Sequence, residues 1–149
     1  MAYYLAYGSN LTLKAMKHRA PNSRIVGIGW LPDHKLAFCG QPGISYLDVI
    51  QSKGSQVPVG CFQVDERDIQ RLDEYEDYPD LYDRKTIRLE ITKPNSQQVL
   101  LDCFYYKMVG TPVLAKPSAT YFEDCMEGYR DFGFDPSILE QALKEASEV

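Results

Sequence analysis

The sequence has few of the residues from which disulfides and metal sites are built. It contains four cysteines and two histidines in 149 residues. The cysteines form no Cys-x-x-Cys pair, and no cluster has the spacing of a metal site. We therefore expect reduced, mostly buried thiols and no metal site.

Long apolar runs and an excess of positive charge are also missing. No segment approaches the about 20 apolar residues of a membrane-spanning helix, and the N-terminus lacks the basic and apolar segments of a signal peptide. The formal net charge is −5, a balance that disfavours binding to nucleic acid or to anionic membranes. The sequence thus predicts a cytoplasmic protein without a nucleic-acid or membrane partner.

What the sequence does contain is typical of one globular domain over residues 1–149. Hydrophobic residues make up 44% and charged residues 25%, which suits a soluble protein with a sizeable core. Strands are predicted at Ala2–Tyr7, Arg24–Leu31, Lys35–Cys39, Ser45–Gln51 and Val57–Val64, with a later hairpin through Ile87–Ile91 and Val99–Tyr105. About seven strands in hairpin-like succession predict an α+β fold with a curled sheet or small barrel.

Helices are predicted between and after these strands. They run from Leu11 to Arg19 with Asn10 as N-cap, from Glu66 to about Asp77 with Asp65 as N-cap, from Ser118 to Gly133, and onward from Asp135-Pro136. Each start carries a side-chain oxygen able to accept a hydrogen bond from the first turn.

Glu76 stands out on the second predicted helix. At about 100° per residue, Ile69 and Leu72 define the buried side, and Glu76 falls in the middle of that side. A buried carboxylate is costly unless it is paired or functional, and burial raises its pKa towards the neutral range of a general base. Periodicity alone also allows a frayed helix end at which Glu76 reaches water, so both interpretations stay open.

A second candidate is Tyr7-Gly8-Ser9-Asn10, which lies between a strand and a predicted helix. Glycine lets the backbone approach a ligand closely, and successive N–H groups at a helix start can bind an anion. The same residues also form ordinary turns. The segment is not a Walker loop, since no Gly-Lys-Ser/Thr follows.

The remaining signals are weaker. Ser118 suits a helix N-cap. The 11 tyrosines outnumber the 6 phenylalanines and the single tryptophan, and some are expected to line a polar pocket. No Gly-x-Ser-x-Gly elbow supports Ser-His-Asp catalysis, and nothing favours a cysteine nucleophile.

Taken in order, these segments resemble the γ-glutamylcyclotransferase superfamily, which includes γ-glutamylamine cyclotransferases and plant AIG2-like proteins. The motifs are Tyr7-Gly8-Ser9-Asn10-Leu11, Val57–Phe62, Leu72–Glu76 with Tyr82 and Arg84, and Pro117–Tyr121 with Gly128 near a helix end. The family often has glycine directly after its catalytic glutamate, where this chain has Asp77.

The resemblance implies a small mixed, mainly antiparallel β-barrel flanked by helices, with the ligand at one end. It implies Glu76 as catalytic general acid/base, and substrate-binding residues at Tyr7, Gly8, Ser9, Asn10, Leu11, Tyr82, Ser118 and Tyr121. The implied partner is a small-molecule γ-glutamyl amide, converted to 5-oxoproline and a free amine without a metal, a nucleotide or any other cofactor. The rival hypotheses are a module that binds a small acidic metabolite without turnover, and a cysteine redox protein. The leaving group of the substrate stays open, as does the oligomeric state of the protein, monomer or homodimer.

Overall fold

Five strands close into a barrel with four α-helices around it, in a computed structural model that describes all 149 residues. The strands are β1 (Ala2–Ala6), β2 (Arg24–Gln41), β3 (Ile44–Val64), β4 (Tyr82–Thr92) and β5 (Gln98–Met108). The helices are α1 (Leu13–Arg19), α2 (Glu66–Tyr75), α3 (Ala119–Phe132) and α4 (Ser137–Ser147), with a 3₁₀ helix at Ser9–Leu11. None of the helices has the length and apolar character needed to cross a membrane.

The barrel follows the strand order β1-β3-β2-β4-β5. Every neighbouring pair is antiparallel except β1 and β5, which meet in parallel at Tyr4 and Phe104. Closure gives every strand a neighbour on both sides, although β2 and β4, like β1 and β5, pair at a single register position. Buried side chains such as Leu5, Val59 and Ile91 belong to the one large core cluster. The expected α+β, mixed and mainly antiparallel barrel is thus confirmed.

The number of strands differs from the sequence prediction. Arg24–Leu31 and Lys35–Cys39 form one strand, β2, and Ser45–Gln51 and Val57–Val64 form one strand, β3. The Pro32-Asp33 step looks like a break in the sequence, but it is absorbed as a register shift between Pro32 and His34. Asp33 adopts φ 58°, and its carboxylate accepts the N–H of Gly54 on the partner strand. The pairing of β2 with β3 therefore continues on both sides of this register shift.

The N-cap of α1 also corrects a prediction. Thr12, rather than Asn10, caps this helix, and its hydroxyl accepts the N–H of Ala15 at 3.1 Å. Asn10 lies one turn earlier, in the 3₁₀ helix, where its amide contacts other side chains. By contrast Asp65 caps α2 as predicted, in a reciprocal capping box with Asp68.

The last two helices begin and end close to their predicted residues. Ser118 Oγ accepts the N–H of Tyr121 at 3.1 Å and caps α3. Gly133, at φ 70°, ends α3 in the left-handed region that glycine favours. Asp135 Oδ1 accepts the N–H of Ser137, with which α4 begins. Gly128, which the resemblance places near a helix end, lies inside α3 instead.

The interior position of Gly128 has a steric cause. A Cβ at Gly128 would lie 2.6 Å from Cβ of Leu11, and a Cβ at Gly60 would lie 2.9 Å from Cδ2 of the same leucine. Leu11 itself is fully buried. Two glycines therefore leave the space into which Leu11 anchors the 3₁₀ helix between β3 and α3.

We expect Gly128→Ala to destabilise the protein although alanine is the better helix former. Helix propensity favours alanine by about 1 kcal/mol, but the clash involves Cβ of Leu11, which side-chain rotation cannot move. Overpacking of this kind costs about 1–3 kcal/mol, and we expect a net loss in that range, measured by urea unfolding. Glu127→Ala, at an exposed position of the same helix, is the control and should change stability by less than about 0.5 kcal/mol. A Gly128→Ala variant as stable as the wild type would contradict this packing account.

Candidate functional site

A cavity of about 200 Å³ opens at the end of the barrel where β1 and β5 finish and β4 begins. Its volume is below the about 300–1,000 Å³ of pockets for drug-sized ligands, which suits a small metabolite. The lining residues are Tyr4, Tyr7, Gly8, Ser9, Asn10, Tyr46, Leu47, Tyr75, Glu76, Leu81, Tyr82, Tyr106 and Tyr121.

Most of the residues singled out in the sequence meet in this cavity. Tyr7, Gly8, Ser9, Asn10, Glu76, Tyr82 and Tyr121 all belong to its lining. Leu11 and Ser118 lie outside the lining: Leu11 is buried beneath the loop, and Ser118 caps the helix that carries Tyr121. A substrate contact for any of the eight predicted binding residues, and the catalytic role of Glu76, stays a prediction.

Six lining residues were not found by sequence reasoning. They are Tyr4, Tyr46, Leu47, Tyr75, Leu81 and Tyr106. The available signal was the excess of tyrosine, since seven of the 13 lining residues are tyrosines. Composition does not say which tyrosines converge, because they come from β1 and the loop after it, and from β3, α2, β4, β5 and α3.

Glu76 is the only ionisable carboxylate in the lining. It directly follows α2, and its N–H donates to the carbonyl of Leu72 at 2.9 Å, so the helix end fixes its backbone. Burial raises the pKa of Glu76 from 4.5 to about 7, while the positive charge of Arg19 and a hydrogen bond from Asn10 lower it. Desolvation outweighs the two opposing effects because the carboxylate exchanges water for a largely tyrosine-lined wall.

Asn10 connects the loop to Glu76. Its Nδ2 donates to Glu76 Oε1 at 3.2 Å and to the hydroxyl of Tyr4 at 2.9 Å. Asn10 is itself buried, so both hydrogen bonds are shielded from competing water. The side chain that the sequence suggested as a helix cap instead positions the carboxylate.

Three tyrosine hydroxyls in the lining are held by the backbone. Tyr7 donates to the carbonyl of Tyr106 at 2.7 Å, and Tyr82 donates to the carbonyl of Leu47 at 2.8 Å. Tyr121 instead accepts the N–H of Leu47 at 3.0 Å. The Tyr7 and Tyr82 oxygens therefore keep acceptor capacity for a ligand, whereas Tyr121 keeps its proton to donate.

The loop offers backbone donors beside these hydroxyls. Leu11 and Thr12 donate back to the carbonyls of Gly8 and Ser9 and close the 3₁₀ turn. The N–H groups of Ser9 and Asn10 begin this turn and have no acceptor within it, and no protein acceptor is found for the Gly8 N–H. Successive free N–H groups of this kind bind anions.

Asp77 follows Glu76 at the position where the resemblance expects glycine. Its φ is 52°, in the left-handed region. Aspartate is one of the few side chains other than glycine that adopt this region at modest cost. The chain therefore makes a left-handed turn after Glu76 without a glycine.

Comparison with known proteins adds an independent observation. Residues 4–124 match the family model described as "Gamma-glutamyl cyclotransferase, AIG2-like". Gamma-glutamylaminecyclotransferase B of Danio rerio is 32% identical over 73 residues, which are 49% of this chain and only 38% of that protein.

Solved structures share the fold. One titled "Gamma-glutamyl cyclotransferase" superimposes with a TM-score of 0.75 at 23% identity, covering 95% of this chain and 85% of that one. An AIG2-like protein from Mus musculus superimposes with a TM-score of 0.57 at 25% identity, covering 73% and 78% of the two chains.

We expect Glu76→Gln to alter the pH dependence of stability. The folded pKa of about 7 lies above the ordinary 4.5, so ionisation of Glu76 lowers the free energy of unfolding as pH rises from about 4.5 through 7. Between about pH 4 and pH 8 the wild type should lose on the order of 3 kcal/mol relative to Glu76→Gln.

Urea unfolding of both proteins across this pH range measures the difference. Glu74→Gln removes an exposed carboxylate from the same helix and should parallel the wild type. A constant offset between Glu76→Gln and the wild type at all pH values would show that the carboxylate is not destabilised by burial.

Proposed function

Because the chain belongs to the gamma-glutamyl cyclotransferase, AIG2-like family, we propose that it converts a γ-glutamyl amide to 5-oxoproline and releases the free amine. The substrate is a γ-glutamyl amino acid or a γ-glutamyl amine. Glu76 is the general acid/base of this reaction. The observation that carries the proposal is a single carboxylate in a small tyrosine-lined cavity, held by a hydrogen bond from Asn10; burial there raises its pKa from 4.5 to about 7.

The proposed reaction is an intramolecular aminolysis. The α-amino nitrogen of the γ-glutamyl group attacks its own γ-carbonyl carbon, a C–N bond forms, and the amide bond to the leaving amine breaks. Starting from the α-ammonium group, the α-nitrogen loses two protons on the way to the lactam N–H, and the leaving nitrogen gains two on the way to an ammonium group, so no net proton is consumed. A cavity that holds the substrate folded supplies most of the rate enhancement, because ring closure depends on the approach of two groups of the same molecule.

Glu76 is suited to both proton transfers. A group whose pKa lies near the working pH accepts a proton readily and returns it readily. As carboxylate, Glu76 takes the proton from the α-nitrogen; as carboxylic acid, it delivers that proton to the departing amine. The enzyme needs no nucleophilic cysteine, serine or lysine, since the nucleophile belongs to the substrate.

The other lining groups bind the substrate in this proposal. The N–H groups of Gly8, Ser9 and Asn10 hold a negatively charged oxygen, either the α-carboxylate or the oxyanion of the tetrahedral intermediate. The Tyr121 hydroxyl donates to a second substrate oxygen. Tyr7 and Tyr82, whose protons are used by the backbone, accept from the α-ammonium group.

The cysteine redox hypothesis has little support in this geometry. All four cysteines are buried, and none of them lines the cavity. Burial raises the pKa of Cys39 to about 11 and that of Cys125 to about 12. These two thiols therefore carry little reactive thiolate near neutral pH.

We expect Glu76→Gln to abolish 5-oxoproline release. Loss of a general acid/base costs about 10²–10⁴-fold in rate, while glutamine keeps the shape of the side chain and the acceptor for Asn10. The assay is 5-oxoproline release from γ-glutamyl amino acids, γ-glutamyl-ε-lysine and simple γ-glutamyl amines. In the wild type, kcat/KM should decline below about pH 7, as Glu76 becomes protonated.

The control is Glu74→Gln, which removes the exposed neighbouring carboxylate and should turn over at the wild-type rate. Undiminished turnover by Glu76→Gln would overturn the assignment of the base. If the wild type binds γ-glutamyl compounds, as seen in a thermal shift, but releases no product from any of them, the non-catalytic binding module becomes the better description.

A further inference from the structure

Arg19, the last residue of α1, contacts the Gly8–Asn10 loop and the end of α2 but does not line the cavity. Its Nη1 donates to Asn10 Oδ1 in a close hydrogen bond. Its guanidinium also stacks on the ring of Tyr75, with Cζ 3.5 Å from the ring centroid. Asn10 belongs to the loop, and Tyr75 is the last residue of α2, directly before Glu76.

The contact with Arg19 determines which way the Asn10 amide points. A guanidinium only donates hydrogen bonds, so the atom of Asn10 that faces it must be the carbonyl oxygen. The amide nitrogen then faces Glu76 Oε1, to which it donates at 3.2 Å. In the opposite orientation the Asn10 oxygen would face the carboxylate, and two acceptors would repel each other.

The second contact holds the helix end. Stacking of a planar guanidinium on an aromatic ring is attractive and favours arginine over lysine. The ring beneath Arg19 is further fixed by its hydroxyl, which lies 3.3 Å from Ser9 Oγ. Arg19 thereby connects the loop to the residue that precedes Glu76.

We propose that Arg19 is a positioning residue, which orients Asn10 and the end of α2 and so holds the Glu76 carboxylate in place as a hydrogen-bonded base. Its effect on turnover rests on the function proposed above. Its effect on the state of Glu76 does not, and can be measured on the protein alone.

Arg19 is also the charge that acts on Glu76. Five tyrosine hydroxyls surround the Glu76 carboxylate: Tyr4, Tyr7, Tyr82, Tyr106 and Tyr121. Burial raises the pKa of each above its ordinary value, so these hydroxyls stay neutral. Tyr75, on α2, contributes the ring under the guanidinium.

The two other carboxylates near the cavity have cationic partners of their own. Asp73 Oδ1 accepts from the hydroxyl of Tyr106 at 2.7 Å and lies 3.7 Å from Nε of Arg84. Asp48 Oδ2 lies 3.0 Å from Nζ of Lys107. Arg19 thus remains the cation whose charge favours ionised Glu76.

The test compares Arg19→Met, which keeps an extended apolar stem but removes charge and donors, with Arg19→Lys, which keeps the charge but loses the planar stack. Lys17→Met removes an exposed positive charge from the same helix and is the matched control. The titration of Glu76 is followed by ¹³C NMR of labelled glutamate carboxyl groups and assigned by its absence in Glu76→Gln. Activity is followed as kcat and kcat/KM against pH.

We expect Arg19→Met to raise the pH at which Glu76 titrates, to move the acidic limb of kcat/KM in the same direction, and to lower kcat roughly 10- to 100-fold, the effect of losing one charge-assisted hydrogen bond. Arg19→Lys should return the titration close to the wild-type pH and recover only part of kcat. Lys17→Met should match the wild type in every measurement.

An unchanged Glu76 titration in Arg19→Met would overturn the proposal, as would an equal shift in Lys17→Met. If Arg19→Met does not fold, as judged by circular dichroism, Arg19→Gln keeps a donor for Asn10 and removes the charge, and its Glu76 must still titrate at higher pH. A wild type that releases no 5-oxoproline contradicts the proposed function alone, because the NMR titration tests Arg19 without turnover.

Discussion

The packing of Leu11 between Gly60 and Gly128 is the constraint on which the site depends. A Cβ at either glycine would come within 3 Å of the Leu11 side chain, which is fully buried. The loop that carries Gly8, Ser9 and Asn10 is thereby attached to the barrel and to α3.

Two opposing effects on the pKa of Glu76 determine its chemistry. Burial among tyrosines raises the pKa of the carboxylate, and Arg19 and Asn10 lower it again, so that it lies near 7. Neither effect alone would give a pKa near neutral pH. Desolvation without opposition would keep the carboxyl group protonated, and a complete ion pair with Arg19 would keep it ionised and weakly basic. The residues that supply the two effects lie far apart in the sequence and meet only at this end of the barrel.

Local signals predicted the elements whose causes are local. Asp65 and Ser118 cap α2 and α3, and Gly133 ends α3, because each acts on a backbone within four residues of it. The predicted break at Pro32 was wrong, since a long partner strand absorbs the bulge. The predicted N-cap at Asn10 was wrong because that side chain has partners in other elements, which no local pattern contains.

The sequence by itself predicted a helix that ends near Glu76 and marked this carboxylate as a candidate on its buried side, and the ordered motifs indicated a family and a barrel. Periodicity suffices for this, because a helix repeats every few residues. Only the tertiary structure decided what surrounds the carboxylate: Tyr4 and Tyr106 from neighbouring parallel strands, and Arg19 acting through Asn10. These contacts join residues far apart along the chain, and their geometry follows from closure of the barrel.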